Sequence, residues 1–304
     1  MMYNLSHRDK KEGLTMYPYT VFWDMTIYDI CLVIAVVTAL FLADRMGIQR
    51  GFSVKLQKTL IISIVEALVL GFVGAILFQA VYDWIKTGEF VLSKTTGMTF
   101  YGGLIFGIIG FLVAWFVIGK LICKSDEPVQ KFGQIADITA CIIPLAHGIG
   151  RIGCFTAGCC HGNPTDAWYG VTMWTGPETQ WMKVVPTQLF EALFLFALSA
   201  VLFYFFYKKF DQEGTKGFPL LSVYVMAYGV WRFFIEYFRA DDRGQTIVPF
   251  LSPSQLVAIV MVLLGVAYLV LWYLQKQGKF APKQAEVIET PPTQTPSEES
   301  EDIS

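Results

Sequence analysis

The chain has 304 residues, of which 54% are hydrophobic and 16% are charged, and its formal net charge is -2. Soluble domains carry about 25% charged residues, so this composition excludes an ordinary soluble protein and indicates a polytopic membrane protein. Nothing in the charge balance suggests a nucleic-acid partner.

Residues 1–24 form a polar segment with His7, Arg8, Lys10 and Lys11. It has no short apolar run followed by a small-residue cleavage site, so we expect it to be retained. Apolar stretches close to the roughly 20 residues that a bilayer requires then follow one another. They cover residues 27–43, 60–84, 98–119, 135–149, 186–207, 218–237 and 256–274.

These stretches predict an all-α membrane protein with about seven transmembrane helices in a domain over residues 25–280. Two acids, Asp29 and Glu66, interrupt the first two stretches, and we expect them to be paired within the bundle or to lie near an interface. Residues 281–304 are rich in Pro, Thr, Ser and acidic residues and predict a disordered tail. Residues 163–184 are expected to form a small external cap.

The fourth apolar stretch runs into Ala146–Thr165, which collects five glycines, three cysteines, two histidines and Arg151. We expect the helix to break in these glycines and to line a cavity, because irregular backbone at membrane depth must be covered by protein. A permanent charge at the membrane edge indicates a site for an anionic headgroup.

A second polar group lies on the sixth stretch, where Arg232, Glu236 and Arg239 recur at spacings of four and three residues. Arg232 and Glu236 could form an ion pair within one helix. Alternatively, arginines that converge at a membrane edge suit a phosphodiester, because a guanidinium binds phosphate oxygens in pairs and stays charged.

Lysine and arginine are concentrated in alternate loops and predict the orientation. The richer loops hold Arg45, Arg50, Lys55 and Lys58, then Lys120, Lys124 and Lys131, then Lys208, Lys209 and Lys216, with Lys276, Lys279 and Lys283 after the last stretch. By the positive-inside rule those loops are cytoplasmic, although the basic N-terminal segment argues the other way. We therefore expect the N-terminus outside, the C-terminus inside, and both polar groups on the extracytoplasmic side.

Four segments carry a family resemblance: GRIGCF at 150–155, PTQLFE at 186–191, YGVWRFFIEYFR at 228–239 and YGGLIFG at 101–107. With these segments in this order, the chain resembles the prolipoprotein diacylglyceryl transferases. The resemblance implies transfer of the diacylglyceryl group of phosphatidylglycerol to the lipobox cysteine thiol of a prolipoprotein signal peptide, with no cofactor. It also implies a bacterial inner-membrane location with the active site toward the extracytoplasmic face.

The resemblance implies the site residues as well. Catalytic roles fall to Arg151, Arg232, Tyr101 and Glu236. Substrate binding falls to Tyr28, Gly102, Gly103, Cys154, Gly158, Gly162, Gln188, Glu191, Tyr228 and Arg239. No metal site is implied.

The sequence departs from the family pattern at several of these positions. Tyr101 stands where the family has a histidine, Cys154 replaces an asparagine, Cys159 an acidic residue and Phe72 an arginine. The acceptor thiol, with an ordinary pKa of about 8.5, needs a base at neutral pH. His147 and His161 have a suitable intrinsic pKa but do not match the family's histidine position.

Two alternatives stay open. Cys154, Cys159, Cys160 and His161 could form a metal or redox centre, although adjacent cysteines face one ion only if the turn is unusual, and a disulfide from Cys154 is an equal possibility. The chain would then be a lipid-binding transporter or a metal or redox protein on the same scaffold. The resemblance predicts that Cys154→Asn is tolerated, whereas a metal or disulfide role predicts loss of function.

Overall fold

The fold comes from a computed structural model, which describes residues 20–22, 25–88, 90, 92, 99–174, 181–208, 219–240 and 250–277. The predicted acidic tail lies outside these residues, and so does the predicted polar segment apart from residues 20–22.

Helices dominate the described residues, which confirms the all-α prediction. They are α1 (Ile27–Gln49), α2 (Val54–Thr87), α3 (Phe100–Val113), a π-helical turn (Ala114–Ile118), α4 (Gly119–Cys123), α5 (Glu127–Gln130), α6 (Phe132–Thr156), α7 (Thr187–Lys208), α8 (Leu220–Ile235), a 3-10 turn (Glu236–Phe238) and α9 (Pro253–Lys276). Within the described ranges, six helical segments are long and apolar enough to cross a membrane. The predicted sixth span forms α8, which has only 16 residues, so its crossing of the membrane stays a prediction.

The expected break in α6 is wrong, because the helix continues through the glycines to Thr156. The glycines allow close packing instead. A Cβ atom at Gly148 would lie 2.6 Å from a ring carbon of Phe196, and one at Gly153 would lie 3.1 Å from the ring of Tyr28. The missing side chains let α6 approach its neighbours while the helical hydrogen bonds are kept.

Helix capping explains the presence of Asp29, one of the two acidic residues in the apolar stretches. Asp29 accepts hydrogen bonds from the backbone nitrogen of Thr26 at 2.9 Å and from its hydroxyl at 2.7 Å, and Thr26 Oγ1 accepts from the Asp29 nitrogen at 3.2 Å. This capping box satisfies backbone donors that the first turn of α1 would otherwise leave unpaired. Ser252 and Gln255 form the same arrangement at the start of α9.

A glycine face joins α2 to α3. A Cβ atom at Gly102 would lie 2.4 Å from Phe78 Cβ and 2.5 Å from the carbonyl oxygen of Gly74, and one at Gly103 would lie 3.3 Å from the carbonyl oxygen of Gly71. Gly102 and Gly103 therefore bring these helices into close contact, and their role in substrate binding stays a prediction.

The apolar core lies toward one end of the bundle. There Trp115, Leu56, Ile138 and Leu202 are fully or almost fully buried. Arg50 closes this end by donating a hydrogen bond of 3.2 Å to the Phe206 carbonyl oxygen. The opposite end, where α6 and α8 finish and α7 and α9 begin, holds most of the predicted polar residues.

Short strands supplement the helices. β1 (Thr20–Phe22) pairs with β2 (Met25–Thr26), and β3 (Val171–Trp174) pairs antiparallel with β4 (Trp181–Val184). The second pair falls within the predicted cap at 163–184, and an isolated bridge from Pro164 to Val184 ties it to the loop after α6.

Candidate functional site

Glu191 is the centre of a buried ionic cluster, which we call the Glu191 cluster. Its side chain, at the start of α7, is fully buried, and its two oxygens each lie 3.0 Å from a nitrogen of Arg151. Tyr228 donates a hydrogen bond of 3.0 Å to it, and nitrogens of Arg239 and His147 lie 3.8 Å away. Residues of α6, α7, α8 and the turn after α8 therefore meet at one carboxylate.

Helical spacing explains part of this convergence. His147 and Arg151 are four residues apart on α6 and thus face the same side, toward α7. Glu191 lies one turn into α7 and is reached from this face. A carboxylate in this position is costly to bury unless it is paired and hydrogen-bonded, and both conditions are met.

A second polar group, the Arg232 group, connects α8 to the start of α9. Arg232 forms an ion pair with Glu236 at 2.6 Å, and each side chain is about 8% exposed. Arg232 also donates to Ser254 Oγ at 2.9 Å, while Ser252 donates to Glu236 at 2.9 Å. The charge of Arg232 also acts on Glu191, so the two groups are electrostatically linked.

The backbone around Gly162 positions Arg239. Gly162 donates to the Val185 carbonyl oxygen at 2.8 Å, Asn163 donates to that of Phe238 at 2.8 Å, and Gly162 pairs with Arg239 in a β-bridge. A Cβ atom at Gly162 would lie 2.5 Å from the Phe238 carbonyl oxygen. Glycine is therefore required for the loop after α6 to pass between the start of α7 and the end of α8.

The loop between Cys154 and His161 makes an unusual turn that gathers three thiols. Gly158 and Cys160 have left-handed backbone conformations, with φ of 68° and 61°. The Sγ atoms of Cys154, Cys159 and Cys160 lie within 4.8 Å of one another, and all three are free thiols. We call this the three-cysteine group.

Hydrogen bonds within this group change the acidity of Cys159 and Cys160. Those from Cys154 and Cys159 lower the pKa of the Cys160 thiol, helped by the charges of Arg239 and Arg151. The corresponding bonds raise the pKa of Cys159. Cys160 is consequently the first of these two thiols to ionise, and its thiolate is stabilised by its neighbours.

Side chains at the start of α7 fix this turn. Gln188 donates to the Cys159 carbonyl oxygen at 2.6 Å, and Thr187 donates to that of Cys160 at 2.9 Å. Gln188, predicted as a substrate-binding residue, thus shapes the cysteine turn. Tyr28 reaches the same region, because its ring packs against the Gly153 position, one residue before Cys154.

The predicted base candidates occupy different places. His147 lies in the Glu191 cluster and packs edge-on against Tyr228, with ring centroids 5.3 Å apart. His161 turns Nδ1 toward the Gly162 carbonyl oxygen at 3.0 Å, and its ring nitrogens do not join the thiols among the described residues. Tyr101 lies on α3, which packs mainly against α2, and no hydrogen bond or ion pair links it to the arginines within the described ranges.

Sequence reasoning did not find Ser252 and Ser254 as partners of the Arg232 group. A signal was present, because SPSQ before an apolar stretch is typical of a helix start. The sequence also predicted Glu191 only as one of several substrate-binding residues, not as the centre of the cluster. A tertiary contact between α6 and α7 creates that role.

The fold and the site together define a polytopic membrane protein with a buried arginine and carboxylate site at one end of its helices. The model of the family described as prolipoprotein diacylglyceryl transferase matches residues 19–271. The chain belongs to this family.

Individual relatives are similar in sequence to this chain over most of their length. The phosphatidylglycerol–prolipoprotein diacylglyceryl transferase of Finegoldia magna is 30% identical over 80% of this chain and 89% of its own. That of Clostridium tetani is 28% identical over 79% of this chain and 90% of its own. The family resemblance predicted from the sequence is thereby confirmed, and the alternative of a lipid-binding transporter or of a metal or redox protein on the same scaffold is not favoured.

Proposed function

We propose that the chain transfers the diacylglyceryl group of phosphatidylglycerol to the lipobox cysteine thiol of a prolipoprotein. The observation that carries this proposal is the family match over residues 19–271. The helix ends that hold Arg151, Arg232 and Arg239 are its structural support, because a phosphate ester requires fixed cations at a membrane edge.

In the reaction, the acceptor sulfur attacks the glyceryl carbon that carries the phosphate. A carbon–sulfur bond forms, the carbon–oxygen bond breaks, and the electron pair remains on the phosphate oxygen of the departing glycerol phosphate. Negative charge develops on that oxygen, so a guanidinium held in place beforehand lowers the barrier.

Arg151 is well placed for this task. Glu191 holds its Nε and Nη2 atoms, each 3.0 Å from a carboxylate oxygen, while the side chain keeps 13% exposure. Within the described residues Nη1 has no hydrogen-bond partner, so it can meet a phosphate oxygen. The carboxylate then acts as a positioning group that fixes the guanidinium plane.

Arg232 and Glu236 form the second part of the proposed site. Ser254 and Ser252 hold the two side chains in place at the start of α9, which leaves little freedom for either to turn away. Tyr101, Gly102 and Gly103 lie on α3, which packs against α2, and their proposed roles concern the acceptor or the lipid. The hydroxyl of Tyr101 is tested by Tyr101→Phe, which we expect to lower transfer.

We further propose that this site faces the extracytoplasmic side of a bacterial inner membrane. The opposite end of the bundle carries Arg50 and the basic residues Lys120, Lys124 and Lys131, which the positive-inside rule assigns to the cytoplasm. The prolipoprotein signal peptide would reach the site from the bilayer, between the helices.

A transfer assay tests the proposal. Full-length protein in detergent is incubated with phosphatidylglycerol labelled in its glyceryl group and with a lipobox peptide. We expect a peptide that gains the mass of a diacylglyceryl group, and a peptide with serine in place of the lipobox cysteine provides the control. Lipid binding without any modified peptide would refute the proposed function.

A further inference from the structure

The three-cysteine group has the geometry of an open metal site. Its Sγ atoms lie within 4.8 Å of one another. In a tetrahedral zinc site with zinc–sulfur bonds of about 2.3 Å, the sulfurs are about 3.8 Å apart. A small rotation about the Cα–Cβ bonds would bring the thiols to this separation.

The three thiols of this group are brought together by an ordered turn of the backbone. The left-handed conformation at Gly158 and Cys160 directs the adjacent thiols of Cys159 and Cys160 to the same place. Such a conformation is unfavourable for a residue other than glycine, and hydrogen bonds from Gln188 and Thr187 hold it. The turn removes the sequence-based objection that adjacent cysteines cannot both face one ion.

We infer that Cys154, Cys159 and Cys160 bind a zinc ion and leave its fourth position open to the acceptor thiol. This inference rests on the proposed transferase function. Three protein ligands with a free position are typical of catalytic zinc, whereas structural zinc sites have four. Cys159 is exposed, so the three-cysteine group is not sealed inside the helices.

Zinc would supply the activation that the acceptor requires. A thiol that coordinates zinc loses its proton to the solvent, so the nucleophile forms without a nearby base. The bound sulfur then attacks the glyceryl carbon, and the leaving phosphate oxygen takes the electron pair of the broken bond. Zinc is neither oxidised nor reduced, and the thioether product is a weak ligand that leaves.

The neighbouring charges favour this arrangement. Three thiolates and one Zn²⁺ carry one net negative charge, and a bound acceptor thiolate adds another. Arg151 lies three residues before Cys154 on α6, and Arg239 pairs with Gly162, two residues after Cys160, so fixed positive charge lies near the site. The same arginines belong to the proposed phosphate site.

The first experiment measures zinc in the full-length protein after purification in detergent without chelators. We expect about one zinc ion per chain, and a loss of about tenfold or more in Cys159→Ser and in Cys154→Asn. Cys123→Ala is the matched control, because it removes a buried thiol at the end of α4 and leaves the three-cysteine group intact. The inference is overturned if the wild type contains no zinc or if Cys154→Asn contains as much zinc as the wild type. A disulfide detected by intact-mass measurement would also overturn it.

The second experiment tests the open position. Co²⁺ replaces zinc, and its visible spectrum reports thiolate ligation and tetrahedral geometry. Adding the lipobox peptide should intensify the thiolate-to-cobalt band, and the peptide with serine should not. An unchanged spectrum with both peptides would refute acceptor binding.

The two proposals fail in distinguishable ways. A zinc-free protein that still transfers lipid would end the metal inference and leave the transferase function standing. A protein that binds zinc and the peptide but forms no lipid-modified product would end the transferase function and retain the metal site.

Discussion

Replacing Glu191 by glutamine should destabilise the protein more than any other single change of charge at the site. Two Arg151 nitrogens lie 3.0 Å from its oxygens, and an Arg239 nitrogen lies 3.8 Å away. Opposite charges about 4 Å apart attract by about 4 kcal/mol at an effective dielectric of about 20. Glu191→Gln keeps the size of the side chain and leaves the buried guanidiniums without their carboxylate, which costs about 3–5 kcal/mol.

Denaturant unfolding in detergent measures this loss as a change in the free energy of unfolding. Glu66→Gln is the matched control, because Glu66 is a half-buried glutamate of α2 whose side chain makes no hydrogen bond or ion pair with a described residue. We expect a change within about 0.5 kcal/mol for the control. A Glu191→Gln variant as stable as the control would refute the reasoning.

A double-mutant cycle then assigns the loss to the ion pair. Arg151→Met should be destabilising by itself, because it leaves Glu191 buried with fewer partners. Combined with Glu191→Gln, it should cost less than the sum of the single changes, with a coupling above about 1 kcal/mol. Additive effects would mean that the two side chains do not stabilise each other.

Three further changes follow from the geometry. Arg151→Ala should lower transfer about 100- to 1000-fold, because it removes the fixed charge beside the leaving phosphate. Arg151→Lys should restore only part of the activity, because an ammonium keeps the charge but loses the paired nitrogens of the guanidinium. Initial transfer rates normalised to the amount of folded protein measure both effects, and full activity of the lysine variant would contradict the prediction. Gly162→Ala should lower the free energy of unfolding by about 1–3 kcal/mol, because its Cβ would lie 2.5 Å from the Phe238 carbonyl oxygen. Gly133→Ala is the control, because a Cβ there has no neighbour within 4 Å, and it should be neutral or stabilising. Ser254→Ala removes a hydrogen bond of 2.9 Å from Arg232 and should lower the free energy of unfolding by about 1–3 kcal/mol. An unchanged stability would show that the Arg232 group does not depend on the Ser254 hydroxyl.

Several features could be predicted from the sequence because they depend on local pattern. Apolar stretches near the thickness of a bilayer located the long helices, with ends differing mainly by additional helical turns. The spacing of Arg232 and Glu236 allowed the i,i+4 ion pair that the structure contains. These features need only the neighbouring residues and the helical period.

Other features could not be predicted because neighbours distant in sequence create them. The glycines of Ala146–Thr165 favoured a broken helix, yet α6 continues to Thr156 because other helices occupy the space that side chains would have filled. The three-cysteine group depends on left-handed residues held by Gln188 and Thr187, which lie almost 30 residues further along the chain.

The sequence by itself determined the membrane setting, the helical class and the family, because composition, apolar period and short motifs are properties of the chain in order. Only the tertiary structure decided which charges meet. Glu191 is the centre of the ionic cluster because α6 and α8 end at the level where α7 begins, and a carboxylate buried there is stable only when it is paired with the guanidiniums of Arg151 and Arg239.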